Sequence, residues 1–133
     1  MRFLETDVLL RYFTRDDKIK ARDVLVLLRR VEANSERVIL SPLVVFEAVF
    51  TLQSYYKVPR REIRDMVLAI INLRGLVLEN KTVFERALEL YAEMNIPFAD
   101  AFNSCYMRAH GIEEIYTYDQ DYDGVEGVIR IQP

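Results

Sequence analysis

Six carboxylates stand where an oxygen-rich site could form: Glu5, Asp7, Glu47, Asp100, Asp119 and Asp121. Like charges held close together repel and raise one another's pKa, so a group of acids with no matching base is hard to explain by stability. Hard oxygen donors of this kind suit Mg2+ or Mn2+. Taken singly, several have plainer readings. Asp100 falls in a first helical turn, where exposed N–H groups and the helix dipole favour a carboxylate. Asp119 and Asp121 read alone as ordinary loop acids. Glu47 is the only charge in the run from Leu43 to Leu52, and its helix neighbours Leu43, Val44, Phe50 and Thr51 include no cation. A buried carboxylate without a partner is costly and tends to neutralise. A metal ion would remove that cost; access to solvent or an arginine from elsewhere would do so equally, and both readings stay open.

The elements that must position these acids alternate. Short apolar runs at Phe3-Leu4, Val38–Leu40, Leu76–Leu78, Ile115–Thr117 and Val128–Ile131 read as five strands. The segments 17–32, 42–56, 59–73, 81–94 and 98–110 read as helices. Ser41-Pro42 is an N-cap followed by proline at the first helical position. Gly75 and Gly111 read as helix stops. Such alternation predicts an α/β fold: a three-layer α/β/α sandwich around a central five-stranded parallel sheet. In open parallel sheets, sites form beyond the carboxyl ends of the strands. Glu5 ends the first strand and Asp119 follows the fourth, so the acids are expected to converge at one edge.

The chain has 133 residues, 51% of them apolar, which suits one domain over 1–133. Its net charge of −3 excludes a protein that holds nucleic acid by overall charge, leaving a local basic patch or metal ions to meet phosphate. A single cysteine, Cys105, allows no internal disulfide and fits a reducing compartment. Arg2, Glu5 and Asp7 interrupt the first apolar run, so no signal peptide is expected. Ser41, Pro42 and Glu47 break the longest apolar stretch, so no membrane span is expected. These features predict a cytoplasmic protein.

Taken in order, the acid-bearing segments resemble the four motifs of the PIN domain family. Phe3-Leu4-Glu5-Thr6-Asp7-Val8-Leu9-Leu10-Arg11-Tyr12 is similar to the first. Ser41-Pro42-Leu43-Val44-Val45-Phe46-Glu47 is similar to the second, with its glutamate at Glu47. Phe98-Ala99-Asp100-Ala101 is similar to the third, with its aspartate at Asp100, and Thr117-Tyr118-Asp119-Gln120-Asp121-Tyr122 to the fourth, with its acid at Asp119. The likeness covers essentially the whole chain and extends to the VapC-like toxins of toxin–antitoxin pairs. One departure is visible: the family usually carries aspartate at the position of Glu5, and asparagine or a small hydroxyl residue at that of Asp7.

The resemblance implies a metal-dependent endoribonuclease. In it Glu5, Asp100 and Asp119 are the main ligands of Mg2+ or Mn2+, and Glu47 is a further ligand or orients a metal-bound water. Asp7 and Asp121 are secondary acids, and Thr117 positions a neighbouring carboxylate. Arg11 and Arg15, in a basic group with Lys18, Lys20 and Arg22, are candidate contacts to RNA, as are Lys57, Arg60, Arg61 and Arg64; solvated helix faces are the plainer reading of most of these. The resemblance also implies an antitoxin partner and a homodimer, for which Phe46, Val49, Phe50, Tyr55 and Tyr56 are interface or core candidates.

Two rivals compete with this reading. A haloacid dehalogenase-like phosphohydrolase needs an aspartate nucleophile where Glu5 stands, and a phospho-receiver needs an acceptor aspartate where Glu79-Asn80-Lys81 stands. The lone His110, at a helix end, gives little support to histidine-based chemistry. A non-catalytic PIN-like module that binds RNA or a protein is the alternative that Glu5, longer than aspartate by one methylene, keeps open.

Overall fold

A computed structural model describes all residues, 1–133. The chain divides into two compact units, Met1–Lys81 and Thr82–Pro133.

In the first unit, β1 (Arg2–Phe3), β2 (Val38–Leu40) and β3 (Leu76–Leu78) form a parallel sheet in that order, with Arg2 opposite Val38 and Val38 opposite Leu76. Four helices connect them: α1 (Thr6–Thr14), α2 (Lys18–Glu32), α3 (Pro42–Ser54) and α4 (Arg60–Ile71). Helix α1 packs on α2 and α3, and α3 on α4. Capping follows the local sequence. The Asp17 side chain accepts from the Lys20 amide, and Ser41 accepts from the Val44 amide with Pro42 in the first turn of α3. The core includes Leu4, Leu40, Val45, Val49, Leu52, Ile63 and Ile71. Val49 therefore belongs to the interior rather than to a surface, whereas Phe50 and Tyr55 are exposed.

The second unit carries α5 (Lys81–Glu93), α6 (Phe98–Ala109), β4 (Glu114–Tyr116), a 3-10 turn (Gln120–Gly124) and β5 (Ile129–Ile131). Strands β4 and β5 pair in parallel, Glu114 opposite Ile129. Aromatic rings fill its interior: Phe84 lies 4.7 Å from Phe102 and Tyr91 meets Phe98 edge-on at 5.5 Å, centroid to centroid. Gly111, at φ 67°, ends α6 in a Schellman motif, with the Gly111 amide on the Arg108 carbonyl and the Ile112 amide on that of Met107.

The alternation of elements and the parallel pairing agree with the α/β reading and with a PIN-like fold. The five strands pair as three and two, in place of the single five-stranded sheet that alternation predicts. Strands of two or three residues offer only one or two ladder bonds each, so a short run that reads as a strand does not by itself fix how far a ladder extends. Residues 6–14 form a helix that alternation leaves unassigned; Leu9 and Leu10 with Phe13 have helical spacing, but the run is short. Gly75 serves a different purpose from the helix stop its position suggests. A Cβ there would lie 2.3 Å from the Glu36 carbonyl oxygen and 2.8 Å from that of Val31, so the residue lets two backbones approach.

Candidate metal centre

In the first unit, Glu5 occupies the N-cap position of α1 rather than the end of β1. Its backbone is extended, and its exposed side chain makes no capping bond. Asp7 is exposed in the first turn of the same helix. Between them Thr6 is buried, and its hydroxyl donates to Glu47 Oε2 at 3.0 Å, tying the start of α1 to the second turn of α3. The cost of burial that the apolar run around Glu47 suggests is not incurred, because the carboxylate is exposed and has a hydrogen-bond donor. The run is apolar because Val44, Val45, Ala48 and Val49 fill the core, while Glu47 shares the outer face with Leu43 and Phe50. Of the two candidate RNA contacts, Arg11 pairs with Asp16 at 3.2 Å, and Arg15 takes a left-handed conformation at the end of α1 with its guanidinium 6.0 Å from the Tyr12 ring centre.

In the second unit three acids come together. Asp100, in the first turn of α6, offers a carboxylate oxygen within 4.8 Å of oxygens from Asp119 and Asp121. The turn that delivers the latter two is held by local hydrogen bonds. Thr117 Oγ1 accepts from the Asp119 amide at 3.0 Å, and Asp119 Oδ1 accepts from the Asp121 amide at 2.9 Å. Thr117 thus fixes the backbone that carries Asp119. Asp119 caps the 3-10 turn, the short polar side chain satisfying an amide that the turn leaves free.

Two residues without a sequence-based assignment complete the cluster. Tyr122, 4% exposed, donates its hydroxyl to Asp100 Oδ1 at 3.3 Å and accepts from Asn103 Nδ2 at 3.1 Å. Burial pushes the Tyr122 hydroxyl above its ordinary pKa, so it remains a donor. A signal for each was available: Asn103 lies one helical turn beyond Asp100, and Tyr122 three residues beyond Asp119. Thr6, flanked by two acids, was likewise without a role.

Asp100 Oδ2 is buried and meets no hydrogen-bond donor. Its carboxyl is pushed up to about 6, first by burial, then by the adjacent Asp119 and the charge of Asp121; only the Tyr122 hydroxyl opposes the shift. A buried acceptor left unsatisfied costs roughly 1–3 kcal/mol, and the repulsion among the acids adds to that. The arrangement is the reverse of one selected for the stability of the protein alone. Three hard oxygen donors, one of them without a protein partner, fit a divalent cation: an Mg2+- or Mn2+-type ion would satisfy the orphaned oxygen and cancel the repulsion.

The family model for the PIN domain matches residues 2–128, a span that includes Glu5, Asp7, Glu47, Asp100, Asp119 and Asp121. The chain is also 25% identical, over 122 residues, to a protein of Aquifex aeolicus (strain VF5) named VapC ribonuclease, an overlap covering 92% of this chain and 90% of that one.

Proposed function

Because the chain belongs to the PIN domain family, we propose that it is a metal-dependent endoribonuclease that hydrolyses RNA phosphodiester bonds as the toxin of a toxin–antitoxin pair. The observation that carries this reading is the Asp100–Asp119–Asp121 cluster with its unpartnered Asp100 Oδ2. Asp100 and Asp119 are the principal ligands of Mg2+ or Mn2+, with Asp121 in support. The family likeness adds Glu5 and Glu47 to the same catalytic set. A bound divalent cation supplies charge neutralisation at the phosphoryl oxygens and lowers the pKa of an attacking water.

The chain's own groups have separable tasks. The Asp100 carboxyl, raised to about 6 by burial and by Asp119, would have to be ionised to hold the ion, so affinity for the ion should rise with pH through that range. Tyr122 and Asn103 orient Asp100, and Thr117 orients the turn that bears Asp119. Thr6 orients Glu47. Glu5 lacks any such restraint from a capping bond.

The family model's match over residues 2–128 supports one PIN domain over 1–133. No helix is long and apolar enough to cross a membrane, and the proposal places the protein in the cytoplasm. A homodimer using exposed Phe50 and Tyr55 of the α3 region, and an antitoxin that covers the acids, belong to the same proposal. The decisive assay is Mn2+-dependent cleavage of RNA by the purified protein beside Asp100→Asn and Asp119→Asn. A loss of about 100-fold or more in either variant is expected from removing a ligand. Undiminished cleavage by both variants would refute the ligand assignment, and a parent that cuts no RNA would refute the nuclease reading.

A further inference from the structure

Four tyrosines are exposed, and two of them differ from the rest. Tyr55 packs edge-on against Tyr56 and Tyr106 stacks on His110 at 4.1 Å. Tyr116 and Tyr118, 75% and 70% exposed, meet no other ring, and neither hydroxyl makes a hydrogen bond. Both lie on the segment that leads from β4 into the acidic cluster. Tyr116 ends the strand, and Tyr118 immediately precedes Asp119. Thr117 between them turns inward and bonds the Asp119 amide, so the segment is fixed while the two rings project outward.

The charge around these rings decides what they can hold. Residues 111–133 carry Glu113, Glu114, Asp119, Asp121, Asp123 and Glu126 against a single Arg130, a net charge of −5. Arg130 is itself engaged by Asp123 in two hydrogen bonds of 2.8 and 3.1 Å. Affinity for a polyanion by release of counterions therefore has no source in this segment. Within this segment, what remains for gripping a nucleic-acid strand next to Asp119 is the flat faces of the two tyrosines, beside any ion the acids hold. Every base has a π-face, and aromatic side chains take up unstacked bases without regard to sequence.

We propose that Tyr118, assisted by Tyr116, is the base-stacking platform that positions an unpaired stretch of substrate against the acids. This deepens the nuclease reading and rests on it. The substrate it selects presents at least one unstacked base beside the scissile phosphate, because a base inside a duplex keeps its faces covered by its neighbours. Tyr118 acts on the position of the strand, while the acids act on the phosphate.

The test uses an unpaired oligoribonucleotide carrying 2-aminopurine, with the full chain in the Asp100→Asn background so that the strand stays intact. Base stacking on tyrosine quenches the fluorophore. Tyr118→Ala and Tyr118→Leu are expected to weaken binding roughly 5- to 100-fold and to abolish the added quenching, whereas Tyr118→Phe retains both. The affinity lost should change little between low and high salt, because no counterion release is involved. In the cleaving parent, Tyr118→Ala should raise KM more than it lowers kcat. Equal affinity of the alanine variant and its parent overturns the platform, as does a phenylalanine variant that behaves like alanine. A strand with an abasic site opposite the platform should lose no further affinity in the alanine variant; an equal loss there also overturns it. Parent cleavage with an unaffected Tyr118→Ala variant would leave the nuclease intact and remove only the platform, while a parent that neither binds nor cuts the strand would remove both.

Discussion

Replacing Asp100 with asparagine should stabilise the cation-free protein while destroying its response to divalent ions. The magnitude follows from the carboxyl's position near 6 against an ordinary 3.8. A shift of this size corresponds to about 3 kcal/mol at roughly 1.4 kcal/mol per unit. Asp119 and Asp121 are exposed to water, and screening reduces the figure to about 1 kcal/mol. A raised folded-state pKa means the fold binds the proton more tightly than the unfolded chain. The stability this confers is complete below pH 3.8 and disappears as pH rises through about 6. At pH 7.5 the parent therefore bears the repulsion of an ionised Asp100 and the asparagine variant does not. Thermal melts without divalent ions should place the variant about 3–4 °C above the parent at pH 7.5. The gap should shrink toward zero by pH 4. Millimolar Mn2+ should then raise the parent and leave the variant nearly still, reversing their order. A variant less stable than the parent at pH 7.5 without cation, or a gap independent of pH, would refute the electrostatic argument.

Two further substitutions probe a close backbone approach in the first unit and the support of Asp100 in the second. Gly75→Ala should cost about 3 kcal/mol or more, because the new Cβ would collide with two carbonyl oxygens that belong to the backbone and have little room to yield; denaturant midpoints would measure it, and a near-neutral result would show that the approach of the two chains is not tight. Tyr122→Phe should cost about 1 kcal/mol, since it removes a donor from Asp100 and leaves the Asn103 amide without its acceptor. It should also raise the pH at which Mn2+ begins to bind, because the lost hydrogen bond favoured the ionised carboxyl; isothermal titration across pH 5–8 would detect the change.

Much of the architecture could be read from patterns of residues. Val38–Leu40 and Leu76–Leu78 are uninterrupted apolar triplets, and both are strands with those bounds. Ser41-Pro42 announced α3 because its capping chemistry is local, needing nothing beyond the next three residues. Gly111 was legible for the same reason. Gly75 was not, because its necessity comes from Glu36 and Val31, residues distant in sequence. Helix α1 was hidden by its brevity. Among the site residues, the acids were legible as types and in order, and Asp100, Asp119 and Asp121 do meet. Glu47 was selected partly on a burial that does not occur, for the sequence shows that its neighbours are apolar without showing that they face the opposite way. Spacing alone places Asn103 and Tyr122 near the acids, but each residue type also has ordinary roles, and only the ring's position between two polar groups distinguishes them.

The hydrogen bond from Tyr122 to Asp100 spans 22 residues of chain. A link of that length forms only after the intervening loop has paid its closure entropy. The three acids are thus brought together by the packing of the 3-10 turn region on α6 rather than by local sequence. Their mutual aversion burdens the finished protein more than the route toward it. A divalent ion held by the three acids would cross-link α6 to the turn that follows β4, so the rigidity of the segment from Thr117 to Val125 would come to depend on the ion.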